Sequence, residues 1–279
     1  MKIPFIILCH QRPTQLEEMI ESIEKFTDID TYELILIDNA SPQPHMIKLL
    51  KEYEKKYKVI YHAENLLFLG FNAGLEYIEN KERFILSDPD IVLTKKIPSN
   101  WIHLLSQFLD EVKTPKVGVA LDYTRIPEIN SLMHEVKQNT KKIQSNKNQC
   151  STFSDPYYFG SVDTTLAMYR NDTYNYWDGK NIPQFRITHP KKVIIQSEYN
   201  PNYPLLPVRV GGRFTCIHTG WEMATKKKYA TDFRFYRESI AKGQSNSFIP
   251  STMRYLDGDK MFKELGHNEY VQAQYRGKL

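Results

Sequence analysis

A chain of 279 residues has room for one large domain or two small ones, and 41% hydrophobic with 25% charged side chains excludes a disordered or fibrous protein. The 37 basic and 33 acidic side chains leave a net charge of +4, too little to argue for a nucleic-acid binder. That charge is compatible with polyanionic substrates or loose contact with an anionic membrane surface, such as the inner face of a cell membrane.

Three cysteines, Cys9, Cys150 and Cys216, are odd in number and widely spaced, with no Cys-x-x-Cys pair. That pattern speaks against a disulfide framework and a structural zinc site, and for a reducing compartment. The opening run Met1 to Leu8 is too short for a signal peptide or a membrane span, and nothing else approaches span length. A soluble, cytoplasmic protein is therefore expected.

Residues 3–9 read as the first strand. Pro13-Thr14-Gln15-Leu16-Glu17 opens a helix, with Thr14 and Glu17 at the spacing of a capping box. Leu16, Met19, Ile20, Ile23 and Phe26 recur at helical spacing and predict its buried face. Glu33 to Ile37 is a second strand, ending at Asp38-Asn39, and a helix through Met46, Ile47, Leu50 and Tyr53 follows. Lys58 to Tyr61 is a third strand, Gly70 to Leu75 opens another helix, and residues 83–87 form a fourth strand. Strands alternating with helices across short loops predict an α/β chain with a parallel, doubly wound sheet.

Beyond residue 100 the pattern loosens. Trp101 to Val112 reads as a helix and Lys116 to Leu121 as a strand. Residues 137–156 are polar and rich in Lys, Asn, Gln and Ser, so a mobile loop is expected there. Val162 to Tyr169 and Pro207 to Val210 read as strands, and Phe214 to His218 as a further apolar run. After Trp221 the spacing of Phe233, Tyr236 and Ile240 predicts a helix.

Ligands of open α/β sheets bind outside the carboxyl ends of the strands. His10, Asp38 and Asp88 all fall at such ends, so three strands deliver polar groups to one edge. The most informative of the three is the last. An apolar strand leads into Asp88-Pro89-Asp90, where Pro89 fixes the backbone between two carboxylates. Hard oxygen ligands of this kind can hold Mg²⁺ or Mn²⁺, and such ions keep room for substrate phosphates. Two other Asp-x-Asp triplets, Asp28-Ile29-Asp30 and Asp257-Gly258-Asp259, lie in polar, turn-like surroundings and are expected to be solvated loops.

Four motifs in order over residues 3–93 resemble the family 2 glycosyltransferases of the GT-A fold. They are Ile6-Ile7-Leu8-Cys9-His10-Gln11-Arg12-Pro13, Ile37-Asp38-Asn39-Ala40-Ser41, Asn72-Ala73-Gly74-Leu75 and Asp88-Pro89-Asp90. Leu8 stands where the family usually has proline, and Phe71 where some members carry a basic residue.

The resemblance implies a Rossmann-like, mostly parallel sheet and an irregular acceptor-side half. Residues 1–122 would form the nucleotide-sugar-binding half and 123–279 the acceptor-side half of one continuous domain. It also implies a nucleotide-diphosphate-sugar donor, a UDP-sugar by preference. Asp38 would contact the base or ribose, Cys9 would offer backbone groups, and His10 would stack on the base. Gln11, Arg12, Asn39, Asn72 and Ser87 complete the implied donor site, with Asp88 or Asp90, or both, holding Mn²⁺ or Mg²⁺. Asp88 thus has a place in both the donor site and the metal site.

Inverting transfer also needs a carboxylate to take the acceptor's proton. Asp163, in a Gly/Ser-rich segment beside apolar strand residues, is the candidate, while His218, after a strand and before Gly220, is a candidate for a further metal ligand or for a contact with the diphosphate. The family's usual Glu-Asp pair ahead of the acceptor-side helix has no clear counterpart here. The expectation is an inverting, hexosyltransferase-like enzyme acting on a glycan or lipid-linked acceptor in bacterial surface polysaccharide synthesis. Alternatives are a non-catalytic nucleotide-binding scaffold and a sugar nucleotidyltransferase. His10-Gln11-Arg12-Pro13 stands where the latter would carry a Gly-rich loop.

Overall fold

The computed structural model describes residues 2–171 and 207–241, apart from 79, 129, 130, 151, 160, 161, 163, 164 and 224. Strands β1 (Ile3–Cys9), β2 (Tyr32–Asp38), β3 (Lys58–Tyr61) and β4 (Arg83–Ser87) lie side by side in parallel, in the order β3-β2-β1-β4. Their sequences are near-continuous apolar runs because both faces are covered.

The pleat sorts those runs into two cores. Phe5, Ile7, Leu34, Leu36 and Ile85 point to one side, against Leu16, Met19, Ile20 and Ile23 of helix α1 (Pro13–Phe26) and Trp101, Leu105 and Phe108 of helix α4 (Trp101–Val112). Ile6, Leu8, Ile35, Ile37, Phe84 and Leu86 point to the other, against Phe71 and Ile78. On that second face the chain comes close enough to require glycine. A Cβ on Gly74 would stand 2.7 Å from Ile6 Cδ1, and one on Gly70 2.7 Å from Leu8 Cδ1. Helix α2 (Pro44–Tyr53) and the short α3 (Leu75–Ile78) complete this half.

The rest of the sheet is mixed, so the whole is mostly parallel, as expected. β4 pairs antiparallel with β8 (Ala167–Arg170), which pairs antiparallel with β6 (Lys116–Val119). β9 (Val208–Val210) runs parallel to β6, and β7 (Tyr157–Phe159) closes the edge. Among the described residues the result is an eight-stranded mixed sheet, β3-β2-β1-β4-β8-β6-β9-β7, to which residues from both halves of the chain contribute. A separate two-stranded ribbon pairs β5 (Ile91–Val92) with β10 (Ile217–His218), His218 opposite Ile91.

Two local expectations change. Much of the segment read as a mobile loop is helix α5 (Ser131–Ser145). Its inward stripe is Met133, Val136, Lys137, Thr140 and Gln144, mostly polar positions, so apolar periodicity does not mark it. Gln144 Nε2 ties the helix to the Leu121 carbonyl at 2.7 Å.

Nor do Thr14 and Glu17 form a capping box. Arg12 sits at the N-cap in the left-handed region with no side-chain cap, and Pro13 starts the helix. The Thr14 N–H instead donates to Asp232 Oδ2 at 2.9 Å, from helix α6 (Ala230–Ala241). That cap lies 218 residues away in sequence and is fully buried. Asp232→Ala is expected to cost about 1 kcal/mol, the usual value of a lost capping bond, read as a lower urea midpoint at unchanged slope.

Among the described residues no helix is long and apolar enough to cross a membrane.

Candidate active site

Parallel register brings the strand ends level. Cys9 pairs with Asp38 and Ile7 with Ser87, so His10, Asn39 and Asp88 follow along one edge. The loops leaving β1 and β2 at that edge are sharply bent. Gln11 (φ 58°), Arg12 (φ 62°) and Ala40 (φ 56°) are non-glycine residues in the left-handed region. Such conformations cost on the order of 1–3 kcal/mol each and persist where the surroundings over-determine them. Here the Gln11 N–H donates to Ser41 Oγ at 2.8 Å and the Asn39 N–H to the Cys9 carbonyl at 2.8 Å.

The donor-side residues fall into two groups. Asp38, 4% exposed, accepts the Ser41 N–H at 3.2 and 3.3 Å, which closes the turn after β2. Burial raises its carboxyl above the usual range, with the Ser41 bonds pulling the other way. His10 donates from Nδ1 to the Asn39 carbonyl at 2.9 Å, which fixes its tautomer.

Asn39 Oδ1 accepts the Leu66 N–H at 2.8 Å, so this side chain organises the loop after β3. Ser87 is fully buried; its hydroxyl donates to the Asp88 carbonyl and accepts the Leu166 N–H at 3.2 Å. These internal bonds set the backbone of the edge. Asn72 lies in the 3₁₀ stretch Leu67–Gly74 on the second face. Asp163 lies outside the described residues.

Desolvation brings the His10 pKa down from 6.5 to about 4, so the ring is neutral at pH 7. Between those two values the unfolded chain binds a proton that the folded chain refuses. His10 therefore contributes stability that is lost as pH falls from 6.5 towards 4, up to about 3 kcal/mol at 1.36 kcal/mol per pKa step. Buried Asp38 and Asp232, with raised pKa values, work in the opposite sense. The check is therefore a difference: the acid slope of denaturant stability is expected to flatten in His10→Asn relative to wild type.

The metal-side residues meet at the β5–β10 ribbon. The Thr219 N–H donates to the Asp90 carbonyl at 2.8 Å, and the Thr219 hydroxyl does the same at 3.1 Å while accepting from Gln15 Nε2. This stitching places His218 Nε2 4.0 Å from Asp90 Oδ1. Trp221 stacks on the His218 ring at 4.6 Å.

Asp90 is 3% exposed, whereas Asp88 is half-buried. Asp90 Oδ2 accepts Arg12 Nη1 at 2.9 Å, and Oδ1 is buried with no hydrogen-bond partner among the described residues. Arg12 also lies over the Tyr236 ring at 4.8 Å. Burial works against its charge, and Asp90, Tyr236 and Asp88 more than offset that, so its pKa is raised.

An orphaned buried carboxylate oxygen facing an imidazole suits a cation. Two ligands of one Mg²⁺ or Mn²⁺, each about 2.1 Å from the ion, stand at most about 4.2 Å apart, so the 4.0 Å gap fits. Among the described residues no group of three His, Cys, Asp or Glu clusters as a metal site, so Asp88 stands apart from the Asp90–His218 pair.

Several partners escape the motif reading: Gln15, Thr219, Gly220, Asp232 and Tyr236 come from other elements. Gly220 alone leaves a trace in the sequence, directly after His218-Thr219.

The mostly parallel sheet and polar carboxyl edge define an α/β protein of the doubly wound type. The family described as Glycosyl transferase family 2 matches residues 5–162, more than half of the chain, and the chain belongs to it. The α/β fold and the family resemblance are thereby established.

Solved structures give distant likenesses. The mannosyltransferase PcManGT from Pyrobaculum calidifontis, in complex with GDP-Man and Mn²⁺, is 10% identical with a TM-score of 0.49, over 99% of this chain and 70% of that one. TarS 1-349 from S. aureus is 13% identical with a TM-score of 0.46, over 83% of this chain and 65% of that one. The same protein in complex with UDP-GlcNAc is 12% identical with a TM-score of 0.47, over 100% of this chain and 77% of that one. Likeness at this level assigns no ligand. No curated protein matches the sequence.

Proposed function

We propose that the chain is an inverting glycosyltransferase taking a sugar from a nucleotide-diphosphate donor, a UDP-sugar by preference, with Mn²⁺ or Mg²⁺ bound. The observation that carries this is Asp90 Oδ1, buried without a partner among the described residues and 4.0 Å from His218 at the carboxyl edge of a family 2 sheet. Asp90 and His218 would hold the ion, with water and donor phosphate oxygens as its other ligands. When bound, the ion supplies positive charge to the leaving diphosphate.

The protein's own groups do the rest. Asp38, already desolvated, would accept from the base or ribose, while the backbone at Cys9 and the neutral His10 ring line the nucleotide's place. Gln11, Asn39 and Asn72 belong to the loops that shape this place, Ser87 fixes the turn that presents Asp88, and Asp88 faces the donor from its half-buried position. Asp163 is proposed as the base.

In the transfer the acceptor hydroxyl loses its proton to this carboxylate and its oxygen attacks the anomeric carbon. The bond from that carbon to the diphosphate oxygen breaks on the opposite face, and the diphosphate leaves with the electron pair. The acceptor is proposed to be a glycan or lipid-linked sugar of a bacterial surface polysaccharide.

A thermal-shift series with UDP, GDP, CMP and dTDP, each with and without Mn²⁺, tests the donor site, because a ligand of the folded state raises the melting point by mass action. A Mn²⁺-dependent rise with one nucleotide, UDP foremost, is expected. No rise with any of them would overturn the reading in favour of a scaffold that binds no donor.

A further inference from the structure

We infer that Arg12 is a positioning residue that restricts Asp90 to a single ligating oxygen, and so sets the site's preference for small octahedral cations over Ca²⁺. This rests on the reading that Asp90 and His218 hold the metal. The two carboxylate oxygens of Asp90 are not equivalent. Oδ2 is taken by Arg12 Nη1 at 2.9 Å, and Oδ1, without a hydrogen-bond partner among the described residues, is 4.0 Å from His218 Nε2. Both members of the ion pair are buried, with side chains 10% and 4% exposed, so water does not compete for the bond.

Arg12 is itself held from three sides. Its backbone sits in the left-handed region, ahead of Pro13. Its carbonyl accepts the Leu16 N–H at 3.1 Å in the first turn of α1. Its guanidinium lies 4.8 Å from the centre of the Tyr236 ring. Gly220 packs against the same Asp90 oxygen, so closely that a Cβ there would collide with it. The carboxylate therefore cannot turn both oxygens to one ion without breaking a buried ion pair.

That restriction has a chemical consequence. Ca²⁺ takes six to eight oxygens at about 2.3–2.6 Å and readily accepts bidentate carboxylates, whereas Mg²⁺ demands a tight octahedron and keeps several waters. Mn²⁺ shares the octahedral oxygen preference. A carboxylate limited to one oxygen favours the smaller ions, and releasing the second oxygen favours Ca²⁺. Partners that orient a metal ligand from behind typically change metal affinity by about 10–100-fold when removed.

The test uses the full chain. Mn²⁺ binding is read from loss of the free-ion EPR signal, Ca²⁺ binding by displacement of Mn²⁺, and waters on bound Mn²⁺ by proton relaxation. In Arg12→Met the Mn²⁺ over Ca²⁺ preference is expected to fall about tenfold, with fewer waters on bound Mn²⁺. Arg12→Lys, which keeps a charged donor on Oδ2, is expected to retain most of the preference.

Tyr236→Leu leaves Arg12 in place but removes the ring beneath it, and is expected to shift the ratio the same way by less. It decides the matter if Arg12→Met does not fold. An unchanged ratio and relaxation in the folded variants would overturn the role of Arg12. The double variant Arg12→Met/Asp90→Ala separates this from the metal reading. If it loses Mn²⁺ while the Arg12 and Tyr236 variants match wild type, only the positioning role falls. If it keeps Mn²⁺, the metal reading falls and this inference with it.

Discussion

Gly220→Ala is expected to weaken Mn²⁺ binding at least tenfold, roughly the lower range for disturbed metal-ligand support, and to remove Mn²⁺-dependent stabilisation by nucleotide with it. The reason is purely steric. An added Cβ would overlap Asp90 Oδ2 and stand 2.6 Å from His218 Cε1 and 3.0 Å from Nδ1. Flexible side-chain ends can often step aside from such a contact, but these cannot. Asp90 Oδ2 is held by Arg12, its carbonyl takes two bonds from Thr219, and the His218 ring is sandwiched against Trp221. The substitution must move one of the two proposed ligands or tear the ion pair. A cost of about 1–3 kcal/mol in fold stability is expected as for other overpacked sites, so the melting point is measured beside the Mn²⁺ affinity. A folded Gly220→Ala protein with wild-type affinity would show that Asp90 and His218 do not form the metal site.

The sequence spelled out the first half of this site because its signals are local. β1, β2 and β4 are runs of buried apolar residues, and a run that ends in His10, Asp38 or Asp88 states where the carboxyl edge lies. The mixed part of the sheet was less legible. β6, β8 and β9 are three or four residues long, and whether such a strand runs parallel or antiparallel depends on a crossover, not on its composition. Helix α5 hid because its inward positions include Lys137, Thr140 and Gln144, which carry no hydrophobic period.

The pairs that build the metal side were beyond any local reading. The sequence offered Asp90 and His218 as separate candidates, 128 positions apart by their numbers. Their meeting depends on the register of a two-stranded ribbon, Ile217 opposite Val92. Arg12 reaches Asp90 across 78 residues and Asp232 caps α1 across 218. In each case the residue type suited its role, but the partner was set by the fold.

The buried pair also changes what removal of Asp90 should do. Read as a solvated metal ligand, Asp90 replaced by alanine would leave the fold intact and lose only metal-dependent binding. With Arg12 behind it, Asp90→Ala strands a guanidinium whose side chain is 10% exposed and whose bonded carboxylate is gone.

 Breaking a buried pair from one side typically costs about 3–5 kcal/mol, because the remaining charge stays desolvated. Asp90→Ala is therefore expected to lower stability by about that amount, and to abolish Mn²⁺ binding. The double variant Arg12→Met/Asp90→Ala removes both charges and keeps an apolar stem under Tyr236, so it is expected to regain most of the lost stability and none of the Mn²⁺ binding. Urea unfolding of wild type, both single variants and the double gives the coupling energy directly. Stability that fails to return in the double would mean that Asp90 supports the fold through its backbone bonds to Thr219 and not through Arg12. Mn²⁺ binding that returns with stability would mean that the carboxylate was never a ligand, and that the ion pair alone explains why an aspartate stands at this position.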